Sequence, residues 1–291
     1  QTERMAATPD DVEAHHLGSI LSGGGSTPGQ NRPADWIAMN DAYWLASMST
    51  DGGRLAIPLL YGVDAIHGHA NVLGATVFPH NIGLGAAHDP DLVERIGQVT
   101  AREILATGVE WTFAPTIAVA RDIRWGRTYE SYSEDTALVA SYAGRFVRGL
   151  QGDLGRDSVI ACVKHWVGDG GTDGGKDQGN TILPEEELSR IHIAPYLPAL
   201  AEGVLTVMAS FNSWNSKKCH GHRYLLTDVL KDRLGFTGFV ISDWDGADYL
   251  SEDYGEAMAM AANAGIDMFM VSMDWRRRLK QLLDHVASGV V

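Results

Sequence analysis

The apolar run GFVIS ends in Asp243 and is followed at once by Trp244. A carboxylate in that setting is partly buried, which is unfavourable unless it is paired or hydrogen-bonded. Held ionised beside an aromatic, it has the chemistry to attack an anomeric carbon. An acid at such a place also caps a loop, and motif form alone leaves both readings open. Asp64, in GVDAIHGH, repeats the strand–acid–loop arrangement. It can accept two hydroxyl hydrogen bonds from a sugar, or close an Asx turn. Lys164 and His165 end VIACVKH, and Arg121, Asp122, Arg124 and Arg127 follow EWTFAP. Lys164, His165 and Arg127 are candidate partners for Asp243, expected to lower its pKa and keep it ionised at neutral pH. Phe211, Asn212 and Trp214 follow VLTVMAS. Trp125 and Trp244 offer flat faces for a sugar ring, or ordinary core packing. His67 and His69 lie two positions apart with no carboxylate at ligand spacing, so they read as loop hydrogen-bonders and not as metal ligands.

These residues share one kind of position, the C-terminal end of a short apolar run. The runs cover residues 17–22, 57–63, 110–115, 159–165, 204–210, 238–243 and 266–271. They are apolar on both faces, as strands covered on both sides are. The stub ERM (3–5) is a candidate eighth. Helices fall between them. One begins at Pro90 with Asp89 as N-cap and stops near Gly108. A second follows Ser133, with Glu134 and Asp135 in its first turn and a stripe of Leu138, Tyr142, Phe146 and Leu150. Others are expected near 185–202, 223–234, 252–264 and 275–288. Strand–helix alternation along 291 residues predicts an α/β fold, a TIM-type (β/α)8 barrel forming one catalytic domain over 1–291. In such a barrel the C-terminal strand ends form the active face. SGGGS (22–26) lacks the spacing of a dinucleotide-binding turn. GDGGTDGGKDQGN (168–180) reads as a functional loop.

Lys and Arg number 23 against 37 Asp and Glu, a formal charge of −14. That excess repels phosphates, so no nucleic-acid or anionic-membrane partner is expected, whereas a neutral substrate fits. No run is long enough to span a bilayer. Cys162 and Cys219 have no metal or disulfide spacing and read as free thiols. The opening at Gln1 and the ending DHVASGVV suggest a barrel cut at both ends.

Five motifs in order, GVDAIHGH (62–69), RDIRWGRTYESYSED (121–135), VKHWVGDGGTDGG (163–175), MASFNSWN (208–215) and ISDWDG (241–246), strongly resemble glycoside hydrolase family 3. The likeness is to its exo-acting β-glucosidases and exo-1,3/1,4-β-glucanases. It implies Asp243 as nucleophile. Asp64, Arg127, Lys164 and His165 would grip the terminal sugar. Met208 and Phe211 would line the pocket, Trp244 would clamp the next sugar, and Glu130 would act behind them. Many relatives carry Tyr at Phe211, so a hydroxyl near the nucleophile is missing here. No metal or organic cofactor is implied.

The resemblance further implies that the acid/base is a Glu on a second, C-terminal domain, expected to be absent from this chain. The expected partners are therefore a β-glucoside or β-glucan oligosaccharide and that missing domain. The N-acetylhexosaminidase branch instead places a His on the loop after Lys164-His165. Here residues 168–180 contain none, and Asp169, Asp173 and Asp177 are not promoted to general acid. Three rivals stand beside the glucosidase reading: a β-N-acetylhexosaminidase, a catalytically incomplete sugar-binding barrel and a phosphate-binding barrel enzyme. The last lacks a Gly-rich helix opening after the final strands. Relatives that degrade polymers imply a secreted or periplasmic location, although no signal peptide opens the chain.

Overall fold

The computed structural model describes residues 1–291. Seven strands form one parallel sheet in sequential order: β1 (Thr2–Glu3), β2 (Ser19–Ser22), β3 (Leu60–Val63), β4 (Trp111–Thr112), β5 (Ile160–Trp166), β6 (Thr206–Ala209) and β7 (Phe239–Ile241). Sequential parallel order requires a crossover between each pair, and the helices supply it. Single parallel bridges Ile241–Met268 and Thr2–Val271 link residues 268–271 to β7 on one side and β1 on the other. The circuit is that of a TIM-type (β/α) barrel.

The expected strand at 266–271 is therefore reduced to two bridges. Its backbone is diverted because the Asp267 carboxylate accepts from Val240 N and pairs with Lys231 at 2.7 Å. The stub at 3–5 is also shifted: Thr2–Glu3 pairs with β2, while Arg4–Ala6 winds into a 3-10 turn. Of 110–115, only Trp111–Thr112 pairs as strand.

Leu21, Trp111, Phe113, Cys162, Met208, Ile241 and Met270 fill the barrel interior as one buried cluster. A larger buried layer, including Val163, Val207, Val240, Val93, Ile104, Tyr142 and Phe146, joins the outer strand faces to the helices. Both faces of the sheet are thus covered, which explains the unbroken apolar runs.

Helix Pro90–Leu105 has the expected cap, with Asp89 accepting from Leu92 N at 2.9 Å. Helix Thr136–Gln151 begins later than expected. Asp135 is its N-cap, accepting from Ala137 N and Leu138 N, and not a first-turn residue. These two helices cross at bare backbone: a Cβ on Gly149 would meet Glu94 O at 2.3 Å. The segment at 185–202 is broken into α-helix, a π-turn over Ser189–Ile193 and α-helix again, and Tyr224–Arg233 is wound as π-helix. Helices Pro9–His15 and Pro33–Ser47 precede β2 and β3. A small sheet of Asn180–Thr181, Ser213–Trp214 and Lys217–Lys218 joins the 168–180 loop to the loop after β6.

Candidate active site

The ends of β3, β5, β6 and β7 converge on a cavity of about 210 Å³, lined by Asp64, Ile66, Phe113, Arg127, Lys164, His165, Met208, Asp243, Trp244 and Met270. All of the expected site residues line it except Phe211. That ring instead packs against His220 and Tyr249, at centroid distances of 5.7 and 5.6 Å.

Each side chain is held by a specific neighbour. Lys164 is buried and donates to Asp64 Oδ1 at 2.7 Å, leaving the half-exposed Asp64 carboxylate with acceptor capacity toward the cavity. Arg127 forms a two-pronged pair with buried Glu130, Nε to Oε1 and Nη2 to Oε2, both at 2.8 Å. Burial works to raise the Glu130 pKa, but the Arg127 hydrogen bonds and charge outweigh it and hold the carboxyl below its ordinary range. Arg127 Nη2 also donates to His165 Nε2 at 3.2 Å, which leaves the ring proton on Nδ1 for Asp169 Oδ2 at 2.8 Å. Burial, reinforced by the Arg127 and Lys164 charges, pushes the His165 pKa well down, so the ring is neutral. Lys164-His165 and Trp166-Val167 are joined by cis peptide bonds.

Asp243 sits among these groups. Its Oδ1 accepts from Trp244 N at 2.7 Å. Its buried Oδ2 has no hydrogen-bond partner, and the Nε2 of the neutral His165 ring stands 3.6 Å away. The sequence predicts a lowered Asp243 pKa, but the structure reverses that direction. Burial pushes the carboxyl up to about 6, and the opposing charges of Lys164 and Arg127 recover only part of the shift.

The folded state holds the Asp243 proton more tightly than the unfolded chain, whose carboxyl titrates near 3.8. Stability is therefore eroded as pH rises from about 4 through about 6, and the loss is complete above that. Asp243→Asn is expected to be more stable than the parent at neutral pH by about 1–3 kcal/mol. The gap should close toward pH 4 in paired urea titrations. An equal or lower stability for the variant at neutral pH would contradict it.

The two tryptophans part company. Trp244 is about two-fifths exposed at the cavity mouth, and a Cβ on Gly23 would lie 3.5 Å from its ring. Trp125 is buried with Ala118 and Ala120 and donates to Asp177 Oδ1, so it is a packing residue and no platform. His67 contacts His80 at 3.0 Å, and His69 is buried against Trp36 and Thr107.

A buried carboxylate with one unpartnered oxygen thus stands in the wall of a small cavity ringed by hydrogen-bonding groups, an arrangement that suits a polyhydroxylated molecule. The chain matches the model described as "Glycosyl hydrolase family 3 N terminal domain" over residues 2–291. It belongs to glycosyl hydrolase family 3. Among solved structures, the chain is similar to an exo-1,3/1,4-β-glucanase from a Pseudoalteromonas species, at 50% identity and a TM-score of 0.95, covering 100% of this chain and 38% of that one. It is 31% identical to a lysosomal β-glucosidase of Dictyostelium discoideum, over 96% of this chain and 36% of the relative. It is 34% identical to a periplasmic β-glucosidase of Salmonella typhimurium, over 79% of this chain and 30% of the relative. The chain thus spans about a third of the length of these family members.

His220 and Asp169 are the site-supporting residues that sequence reasoning left unassigned. Asp169 lies beneath His165, out of the cavity lining. His220 stands in SKKCHGH, where nothing in the pattern separates it from the neighbouring polar residues.

Proposed function

We propose that this family 3 domain carries out retaining, exo-acting hydrolysis of terminal β-D-glucosyl residues from β-glucosides or β-glucans. The observation that carries the reading is the unpartnered Oδ2 of Asp243, a residue lining a cavity ringed by Asp64, Arg127, Lys164, His165, Met208 and Trp244. Asp243 Oδ2 attacks C1 as the C1–O bond to the leaving group breaks, forming a glycosyl ester. Water then attacks C1 as the carboxylate departs, and the water gives its proton to the conjugate base of the group that protonated the leaving oxygen. Asp64, Lys164, Arg127 and His165 take the hydroxyls of the bound ring, and the half-exposed Trp244 takes the face of the following sugar.

The leaving oxygen needs a proton. Asp64 and Asp243 are the carboxyl groups lining the cavity, and Asp64 is tied to Lys164. We assign the donor to a part of the protein outside residues 1–291, in keeping with the length of the relatives. General acid catalysis contributes about 10²–10⁴-fold, so residues 1–291 alone are expected to turn over unactivated cellobiose poorly. The substrate, together with one relative named periplasmic, supports a setting outside the cytoplasm. No helix is long and apolar enough to cross a membrane.

Incubation with a dinitrophenyl 2-deoxy-2-fluoro-β-glucoside, whose leaving group needs little protonation, tests the covalent step. Mass spectrometry is expected to find the sugar esterified to Asp243. Binding without an adduct would favour a sugar-binding module instead. Faster nitrophenol release from the β-N-acetylglucosaminide than from the β-glucoside would favour the hexosaminidase reading.

A further inference from the structure

The backbone at the end of β7 is tied down from two sides. Ser242 N donates to Met268 O and Asp245 N to Met270 O, both in the segment that completes the barrel circuit. Asp243 N does not join them. It donates to His220 Nε2 at 3.0 Å, across the barrel rim from the loop after β6.

His220 is built for that contact. It is 1% exposed, and Phe211 packs against its ring. Gly246 passes so close that a Cβ there would lie 2.3 Å from Nε2. With Nε2 accepting, the ring proton is on Nδ1, on the side of the Ser210 backbone. Ser210 N in turn donates to Trp166 O at 2.7 Å, at the end of β5. The imidazole therefore stands between the backbone of Asp243, which it binds, and Ser210, which is tied to the end of β5. Without the imidazole, a buried N–H at the attacking residue would lack a partner.

We infer that His220 is a positioning residue that fixes the backbone of Asp243 and so aims its Oδ2 at the anomeric carbon. The inference rests on Asp243 being the nucleophile. His220 itself lies outside the cavity lining. A displacement of about 1 Å at a reacting atom lowers rate by about 10²-fold, while binding groups elsewhere remain in place.

The test is the labelling of Asp243 by the dinitrophenyl 2-fluoro-glucoside in His220→Phe and His220→Gln, followed as the maximal labelling rate and the sugar concentration giving half of it. Phe keeps a ring and removes the acceptor, whereas the Gln amide places an acceptor near the site of Nε2. With folding checked by near-UV circular dichroism, H220F is expected to label about 10²-fold more slowly at nearly unchanged half-saturation. H220Q is expected to recover to within about tenfold of the parent. If H220F does not fold, H220Q decides: labelling within that range supports the role, and a larger loss overturns it. H220F within about twofold of the parent, or a folded H220Q as slow as H220F, would also overturn it. A parent chain unlabelled at Asp243 would sink the nucleophile assignment and the positioning role with it. A labelled parent with an unimpaired H220F would sink the positioning role alone.

Discussion

Asp243→Asn is expected to lower turnover of an activated β-glucoside by about 10⁴-fold or more, roughly 5.5 kcal/mol of transition-state stabilisation. The amide preserves the shape and the acceptor for Trp244 N, so binding and fold should survive. What it lacks is the charge that bonds to C1. Asp243→Gly sharpens the test, because azide can enter the vacated space and attack C1 once, giving the α-glucosyl azide with rescue of leaving-group release. The parent also has an expected pH signature. Attack requires the carboxylate, and burial places its titration at about 6. kcat/KM should therefore fall as pH drops below about 6, where an ordinary exposed aspartate would hold its activity down to about 4. An asparagine variant retaining a tenth of the activity, or an acid limb near 4, would remove Asp243 from the proposed role.

The second large effect is expected at Arg127. Its guanidinium satisfies both Glu130 oxygens and the Nε2 of His165. The Glu130 side chain is 7% exposed, so truncating the arginine leaves a nearly buried carboxylate without its counter-charge. Breaking a buried pair in this way destabilises by about 3–5 kcal/mol. Arg127→Met should lose that much in urea unfolding at neutral pH. The loss should shrink at acid pH, where Glu130 takes up a proton more readily once its partner is gone. Arg127→Lys should recover little, since an ammonium cannot reproduce the planar fork. Activity should fall with stability, because His165 loses its orienting donor. A variant of parental stability would show that solvent, and not Arg127, carries the Glu130 charge.

How much of this was legible in the sequence depends on which physical term decided each feature. Asp64, Lys164, His165 and Asp243 were found because each ends an apolar run, and a barrel sends such ends to one rim. The helix at Pro33–Ser47 gave no comparable signal. Its buried positions, Trp36, Asn40, Tyr43 and Ser47, mix polar with aromatic, while Ile37, Trp44 and Leu45 face outward. Periodicity cannot register a stripe of that composition. The segment at 266–271 looked like any other strand. What redirected it was the Asp267 carboxylate bonding to β7, a tertiary contact with no local pattern. The Asp243 pKa was predicted in the wrong direction because the partners are visible as letters, whereas the depth of desolvation is not. Trp125 and Trp244 each follow a charged residue, yet only the fold separates a buried indole from an exposed one.

The meeting of Thr2 with Val271 has a consequence for how the protein is made. Thr2 Oγ1 reaches Ser272 O across 270 positions of sequence. A ribosome adding about 5–20 residues per second needs roughly 15–50 s to deliver the second partner after the first. Through that interval β1 presents an open parallel edge, the type of surface that recruits strands from other chains. The barrel therefore spends its synthesis as an unclosed sheet, and conditions that slow elongation late in the chain should favour aggregation over closure.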